Sequence, residues 1–344
     1  MVSLYVTSLE SGDGKTALCA GIARRFVDAN RTVGFLKPVV ARPELPGNGY
    51  VDPDAVFLKR AFSLEEPQSS VNVIAPPDKI TSALQAAAAT LEAKRRDLVI
   101  VEGLNIGGED AAMARLSAEL SKGLRAKVLL VCKHKKGLSP DKITRAVSPV
   151  KDALLGVIVT AVPGSRLDEV RQSLAAPLEK DGIKLLAIVP EDRVLLSVSV
   201  ADLADGLQGE VLVNKDRLDE MVENLMIGAM TLESGKSYFG RKTNKVAIIR
   251  GERPDMMLAS LHTSTVGIIS TGQIPPSDSV MLEAEVRKTP IIAVRKPTHE
   301  VAAAIESILA KARFRQEKKL ERLRDVLSKT LDFKTFSRAL GLSL

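Results

Sequence analysis

The sequence has 344 residues, of which 45% are hydrophobic and 26% charged, with a formal net charge of +7. This length predicts two domains with separate cores, and the balance excludes a disordered chain. Aromatic residues make up 3% and the basic residues are dispersed, so we expect no nucleic-acid partner. No apolar run reaches bilayer length, and the first residues have neither the basic n-region nor the long apolar stretch that is typical of a signal peptide. We therefore expect a cytoplasmic protein that makes no membrane contact.

Through about residue 205, short apolar runs alternate with helical periodicity, which is typical of a parallel α/β fold. Right-handed crossovers would place helices on both faces of this sheet. Residues 42–49, rich in Pro and Gly, are predicted to form a long surface loop. The predicted strands are 4–7, 34–38, 98–102, 128–132, 156–160 and 185–189, and the predicted helices include 16–27, 79–94 and 167–178.

A second, smaller α/β domain is predicted over residues 206–309, after a first domain over residues 1–205. Its predicted strands are 245–249, 266–270 and 290–294, and the junction is placed in residues 202–210. Residues 310–344 are charged and helical in period, which predicts a helical C-terminal extension.

The strongest motif lies between the first strand and the first helix, over residues 7–16. Small residues there let backbone N–H groups turn toward a phosphate, and the helix N-terminus favours an anion. The Walker A pattern is not met to the letter, because its first glycine falls on Leu9 or, with one more residue of spacing, on Ser8. The alternative is a turn that only caps the helix. The predicted nucleotide-binding residues are Ser11, Gly12, Asp13, Gly14, Lys15 and Thr16.

Acidic residues follow two later strands of the same sheet. Asp52 and Asp54 come after the loop that follows the second strand, and Glu102 ends an apolar strand. Carboxylates at this edge can bind Mg²⁺ or activate water, so Thr16, Asp54 and Glu102 are the predicted metal ligands. The alternatives are a helix cap for Asp52 and a structural contact for Glu102. Lys37, near the end of the second strand, is predicted to point toward the same edge of the sheet. The alternative is a solvated lysine.

In order, these segments resemble dethiobiotin synthetase and the cobyrinic acid a,c-diamide synthase type of P-loop protein. The matching elements are the phosphate loop at 8–16, a Lys-Pro-Val strand end at 37–39 and a Val-Glu-Gly strand at 101–103. The resemblance implies that Lys15 and Thr16 bind ATP and Mg²⁺, that Asp54 and Glu102 ligate the metal, and that Lys37 serves the substrate. Lys15, Lys37 and Glu102 are then the candidate catalytic residues.

Residues 209–300 resemble the DRTGG domain, although both elements that name it are altered. They read Gly-Glu-Arg at 251–253 and Thr-Gly-Gln at 271–273. The order of the two domains is similar to the N-terminal regulatory half of long phosphotransacetylases. We expect no phosphotransacetylase catalytic domain within these 344 residues, nor a glutamine amidotransferase domain. The resemblance also implies that the second domain assembles subunits, and we expect a homodimer.

Two functions fit these residues, and the order of the domains favours the first. The first is a Mg-ATP-binding regulatory protein, with or without ATPase activity, whose second domain senses a small effector or joins subunits. The alternative is an ATP-dependent ligase that acts on a small carboxylate or amine substrate. An adenine-reading Asn, frequent in the family after the strand at 156–159, is replaced by Thr160, so the sequence does not identify the base. Arg253 is a candidate anion ligand, or the partner of an internal acid.

Overall fold

The computed structural model describes residues 1–41, 50–107, 110–229, 232–310 and 312–343. By their internal contacts these residues divide into two compact units, Met1–Glu191 with Phe314–Leu344, and Asp192–Arg313. Among the described residues, no helix is long and apolar enough to cross a membrane. The predicted loop at 42–49 lies outside the described residues.

The first unit is built on parallel strands joined by helices. Its strands are β1 Val2–Ser8, β2 Val33–Val40, β3 Asn72–Ala75, β4 Leu98–Asn105, β5 Lys127–Lys133, β6 Leu154–Val162 and β7 Leu185–Pro190. Its helices before residue 191 are α1 Lys15–Asp28, α2 Pro53–Ala61, α3 Gln68–Val71, α4 Ile80–Ala93, α5 Ala111–Gly123, α6 Pro140–Val147 and α7 Leu167–Lys180, with short 3₁₀ turns at Ser148–Ala153 and Gly164–Arg166.

These strands form a seven-stranded parallel sheet within the described residues, in the order β3-β2-β4-β1-β5-β6-β7. β1 lies between β4 and β5, with Leu4 opposite Ile100 on one side and Lys127 on the other. Strands covered on both faces must be apolar throughout, which explains why residues 98–101 are an unbroken buried run. The carboxyl ends of β1, β2 and β4 therefore meet at one edge, which is where a ligand binds in this type of sheet.

The second unit is a smaller α/β structure. It contains α8 Arg193–Leu196, β8 Val198–Ser199, α9 Val200–Leu207, β9 Glu210–Val213, β10 Met221–Val222, β11 Asn224–Ile227, α10 Leu232–Phe239, β12 Lys245–Arg250, α11 Pro254–Leu261, β13 Thr265–Thr271, α12 Asp278–Arg287, β14 Ile291–Val294 and α13 Thr298–Ala310, with a 3₁₀ turn at Lys215–Arg217. Five of its described strands form one sheet in the order β11-β12-β13-β14-β9, in which only β9 runs antiparallel to its neighbour. β8 and β10 form a separate antiparallel pair.

The last two helices, α14 Lys318–Thr330 and α15 Phe333–Leu340, belong to the first unit. Helix α14 packs closely on α1 at Gly21, where an added Cβ would lie 2.4 Å from Leu327 Cδ1 and 3.0 Å from Leu323 Cδ2. The buried apolar side chains of α14 recur at the spacing of one helix face, Leu320, Leu323 and Leu327. The segment predicted as a C-terminal extension thus packs on the first unit from Phe314 onward.

The predicted fold class is confirmed: a parallel P-loop sheet with helices, a second smaller α/β region and C-terminal helices. Each predicted strand coincides with a strand of the structure, usually one or two residues shorter at its ends. The sequence missed β3, β9 and β11, which are four residues long, and β8 and β10, which are two residues long. Packing contacts divide the chain after Glu191 and after Arg313. The domain bounds at residues 205 and 309 stay predictions.

Candidate functional site

A tight loop joins β1 to α1 at the carboxyl edge of the first sheet. Gly12 and Gly14 have φ values of +84° and +102°, a backbone region that favours glycine because it has no Cβ. Gly14 is the N-cap of α1 and supplies no side-chain cap hydrogen bond. A Cβ at Gly12 would meet nothing within 4 Å. The loop therefore leaves open space before the positive end of a 14-residue helix, a geometry suited to phosphate.

Lys15, the first residue of α1, turns its side chain back along this loop. Its Nζ donates hydrogen bonds to Ser8 Oγ at 2.8 Å and to Asn105 Oδ1 at 2.5 Å. Burial lowers the pKa of Lys15, while the charge of Glu102 opposes that shift. Asn105 is the last residue of β4 and was not predicted as a site residue. It holds the ammonium with a neutral oxygen, which a phosphate oxygen can replace.

Two of the predicted metal ligands, Asp54 and Glu102, lie next to the third, Thr16. Its Oγ1 donates to Glu102 Oε1 at 2.9 Å and lies 3.5 Å from Asp54 Oδ2. Glu102 is 4% exposed, and burial raises the pKa of this carboxyl in spite of the nearby lysines. Asp52 caps α2 by accepting from the backbone N–H groups of Asp54 and Ala55. The helix cap considered for Asp52 from sequence is therefore present.

Lys37 occupies the centre of this group of acids. Its Nζ lies 2.9 Å from Asp52 Oδ1, 2.8 Å from Asp54 Oδ2 and 3.0 Å from Glu102 Oε1. Burial by itself lowers the pKa of Lys37, but the three carboxylates outweigh burial and the net shift is upward. Lys37 is thus a charged lysine of the site with its side chain only 12% exposed, and not a solvated one.

Arg315, immediately before α14, also reaches the site. Its Nε donates to Asp54 Oδ1 at 2.7 Å. The neighbouring Phe314 packs edge-to-face on Phe57 of α2, with ring centroids 5.9 Å apart. Burial favours the neutral form of Asp54, but Lys37 and Arg315 together lower the pKa of its carboxyl. The C-terminal segment therefore supplies a cation to the candidate metal ligand.

The oxygen donors at Thr16 fit a small divalent cation, which prefers oxygen ligands. Among the described residues, Glu102 Oε2 is a buried carboxylate oxygen with no hydrogen-bond partner. The described residues contain no group of three or more His, Cys, Asp or Glu side chains placed to hold a metal by themselves. A cation here would need Thr16 or a bound phosphate as a further ligand, which is the usual arrangement for Mg²⁺ beside a phosphate loop.

Thr160 supports the phosphate loop from the end of β6. Its Oγ1 donates to the Asp13 carbonyl oxygen at 2.8 Å, and a Cβ on Gly14 would lie 3.7 Å from Thr160 Oγ1 and Cγ2. Asp13 itself is buried and accepts from the Glu10 backbone N–H at 2.9 Å, and burial raises the pKa of its carboxyl. Thr160 thus stands where the family often has an adenine-reading Asn, and its hydrogen bond stabilises the phosphate loop.

Outside this edge, the remaining candidates have structural roles. Arg253 donates to Asp255 from Nε at 2.9 Å and from Nη2 at 2.7 Å, which agrees with the alternative of an internal acid partner. Cys19 and Cys132 are buried free thiols, and burial raises the pKa of both.

The fold and this site define a P-loop protein of the dethiobiotin synthetase-like type. The chain belongs to the AAA domain family, whose model matches residues 2–199, and the model of the DRTGG domain matches residues 202–308. Relatives with the same architecture are the phosphate acetyltransferases of Synechocystis sp. and Nitratidesulfovibrio vulgaris, each 23% identical over 89% and 90% of this chain. The match spans 47% of each relative, so this chain covers about half of their length.

Among solved structures, the MinD cell division protein of Aquifex aeolicus is similar to part of the chain. It is 17% identical with a TM-score of 0.38, over 57% of this chain and 84% of the MinD chain.

Proposed function

We propose that the first unit binds Mg-ATP and that the protein is a nucleotide-dependent regulator. The observation that carries this proposal is the convergence, at one sheet edge, of the phosphate loop with Lys15, Thr16 and the carboxylates of Asp54 and Glu102. Membership of the AAA domain family supports a nucleotide as the ligand.

Each residue of this site has a role in the proposal. The backbone of Ser11, Gly12, Asp13 and Gly14 surrounds the phosphates, and the Lys15 ammonium exchanges Asn105 for a phosphate oxygen. Thr16, Asp54 and Glu102 hold Mg²⁺, which neutralises phosphate charge when it is bound.

The regulatory part of the proposal rests on the second unit. The DRTGG domain model matches residues 202–308, and the described residues of this unit contain no group of three or more His, Cys, Asp or Glu side chains placed to hold a metal. We propose that it senses a small effector or joins two copies of the chain. Light scattering on the full chain tests the homodimer, and a monomer at high micromolar concentration would contradict it. We place this nucleotide-dependent function in the cytoplasm.

An alternative function is an ATP-dependent ligase acting on a small carboxylate or amine. One observation favours it: Lys37 lies between Asp54 and Glu102, so a cation is available next to the transferred phosphoryl group. If nucleotide binding displaces Lys37 from the acids, the lysine can bind a carboxylate substrate. The products separate the two functions, since a regulator releases at most phosphate and a ligase forms an acyl phosphate that hydroxylamine traps.

The decisive experiment is titration calorimetry of the full chain with ATP, with and without Mg²⁺. We expect Mg-dependent binding that Lys15→Ala weakens roughly tenfold or more, because one charge-assisted contact to phosphate is lost. Lys122→Ala, on the exposed end of α5, removes the same charge away from the loop and serves as the matched control. Equal affinity in wild type and Lys15→Ala would remove the proposal.

A further inference from the structure

A second cavity, of about 750 Å³, opens at the carboxyl edge of the five-stranded sheet. β11, β12, β13 and β14 run parallel, so their carboxyl ends lie together. The cavity is lined there by Ile227, Arg250 and Thr271, the last residues of β11, β12 and β13, and by Arg295 just after β14. Such an edge is the usual ligand-binding place in an open α/β sheet. This cavity lies within the second unit and shares no residue with the phosphate-loop site.

The charge of the lining favours an anion. Arg250, Arg295 and Lys296 contribute three positive charges, and Glu252 contributes one negative charge, which is paired with Arg250. Arg295 and Lys296 are exposed, and neither forms an ion pair with any residue that the structure describes. Two adjacent uncompensated cations are therefore left facing a cavity, where an anionic ligand would neutralise them.

The backbone and hydroxyl groups between the cations also suit an anion. Gly272 has a φ of +93°, and its N–H binds the carbonyl oxygens of Val294 at 3.2 Å and Lys296 at 3.1 Å, which fixes the ends of β13 and β14 together. The Thr271 and Thr298 hydroxyls lie 2.8 Å apart. Thr298 begins the 13-residue helix α13, so the positive end of that helix adds to the field of the cations.

The other wall of the cavity is apolar. Ile227 and Ile274 are 41% and 54% exposed, and both line the cavity together with Pro297. Large exposed aliphatic side chains beside a cluster of cations indicate a ligand with two parts, one anionic and one apolar or planar. A free phosphate would leave the isoleucines uncovered, whereas a nucleoside phosphate can cover them with its base.

We propose that this cavity binds a nucleoside phosphate, with Arg295 and Lys296 on the phosphate and Ile227 and Ile274 against the base. Arg253, the cation of this domain singled out from its sequence, does not line the cavity and is held by Asp255 instead. The proposed anion contact therefore lies in the loop after β14 and not at Arg253.

The test uses the full chain carrying Lys15→Ala, which weakens nucleotide binding at the phosphate loop and leaves the second cavity intact. Calorimetry with AMP, ATP, adenosine and inorganic phosphate as probes is expected to show one site per chain, tighter for AMP or ATP than for adenosine or phosphate alone. Arg295→Ala with Lys296→Ala should weaken nucleotide binding about tenfold or more. Ile274→Ala should weaken AMP and leave phosphate unchanged.

The matched control is Lys215→Ala with Lys236→Ala, which removes two exposed positive charges of the same unit that do not line the cavity. No binding of any probe to the Lys15→Ala chain at millimolar concentration would overturn the proposal. So would binding that the Arg295 and Lys296 changes leave intact. If instead Lys15→Ala binds as wild type does, while the Arg295 and Lys296 changes abolish binding, the proposed function of the first unit fails and this inference stands.

Discussion

Arg315 donates a hydrogen bond from Nε to Asp54 Oδ1 at 2.7 Å, while Lys37 Nζ binds the other oxygen of the same carboxylate at 2.8 Å. Both oxygens of a candidate metal ligand are therefore occupied by cations of the chain itself. Mg²⁺ that binds Asp54 must compete with Lys37 or Arg315 for the carboxylate. The Asp54 carboxylate can therefore hold either a cationic side chain of the protein or the metal ion.

For this reason, Arg315→Ala is expected to lower the Mg²⁺ concentration needed for half-maximal ATP binding, by roughly threefold to tenfold, because one competing charge-assisted bond is removed. The measurement is calorimetry of the full chain over a Mg²⁺ series. Arg324→Ala, which removes an arginine from the same C-terminal segment, should behave as wild type. A higher Mg²⁺ requirement in Arg315→Ala would mean that the arginine assists the nucleotide instead of competing.

Glu102→Gln should keep nucleotide binding and reduce phosphate release about tenfold or more. The amide preserves the shape of a side chain that is 4% exposed, but it cannot neutralise a metal or accept a proton as a carboxylate does. Phosphate release and ATP affinity are measured on the same sample, with Glu92→Gln on the exposed face of α4 as the control. Phosphate release at the wild-type rate would make Glu102 a structural residue.

Gly103→Ala should destabilise the protein by about 1–3 kcal/mol or more through overpacking. A Cβ at Gly103 would lie 2.1 Å from Tyr5 Cζ. The ring has little freedom to retreat, because its hydroxyl accepts from the Leu104 N–H at 3.0 Å and lies 3.1 Å from Ser117 Oγ. Burial also raises the pKa of Tyr5 to about 12.

Denaturant unfolding measures the free energy for Gly103→Ala beside Gly164→Ala. At Gly164 an added Cβ would meet nothing within 4 Å, so the second variant should be close to wild type. Equal losses in both variants would show that crowding against Tyr5 is not the reason for the glycine.

Lys245 gives the stability of the protein a dependence on alkaline pH. It is fully buried at the start of β12, its Nζ donates to Thr263 Oγ1 and to the Ser264 carbonyl oxygen, and burial lowers its pKa from 10.5 to about 8. Between these two pH values the unfolded chain holds a proton that the folded chain has released. The contribution of Lys245 to the free energy of unfolding therefore rises with pH in that window and is constant below it.

Lys245→Met has no ionisable side chain at this position. The free energy of unfolding of wild type should therefore increase relative to that of Lys245→Met as the pH rises from about 7 to about 10. Urea unfolding at several pH values measures it. A difference that does not change with pH would contradict a lowered pKa at this position.

The sequence predicted the first sheet and much of the site for one physical reason. Residues at the carboxyl ends of parallel strands meet at the same edge, so Lys15, Lys37 and Glu102 could be assigned to one place before the structure was known. The structure places Lys37 Nζ 3.0 Å from Glu102 Oε1, and it places Lys15 near enough for the charges of both residues to act on its pKa. Their roles toward ATP and Mg²⁺ remain predictions that the experiments above test.

What the sequence missed depends on contacts that no local pattern contains. Asn105 carried a weak signal, as a polar residue at the end of the same apolar strand as Glu102. Arg315 carried none, because it meets Asp54 across 261 residues of chain and lies in a run of ordinary surface charges. The short strands β3 and β9 were missed because four residues are too few for a period, and β9 is an edge strand that begins with the exposed Glu210.

The close packing of Gly21 against Leu327 has a consequence for synthesis. Helix α1 emerges from the ribosome about 300 residues before its partner α14, which corresponds to roughly 15 to 60 s at 5–20 residues per second. During that interval the face of α1 around Gly21 is uncovered and Asp54 lacks Arg315, while residues 192–313 have time to fold by themselves. The candidate site of the first unit thus gains its Arg315 contact to Asp54 only after the C-terminal segment has been synthesised.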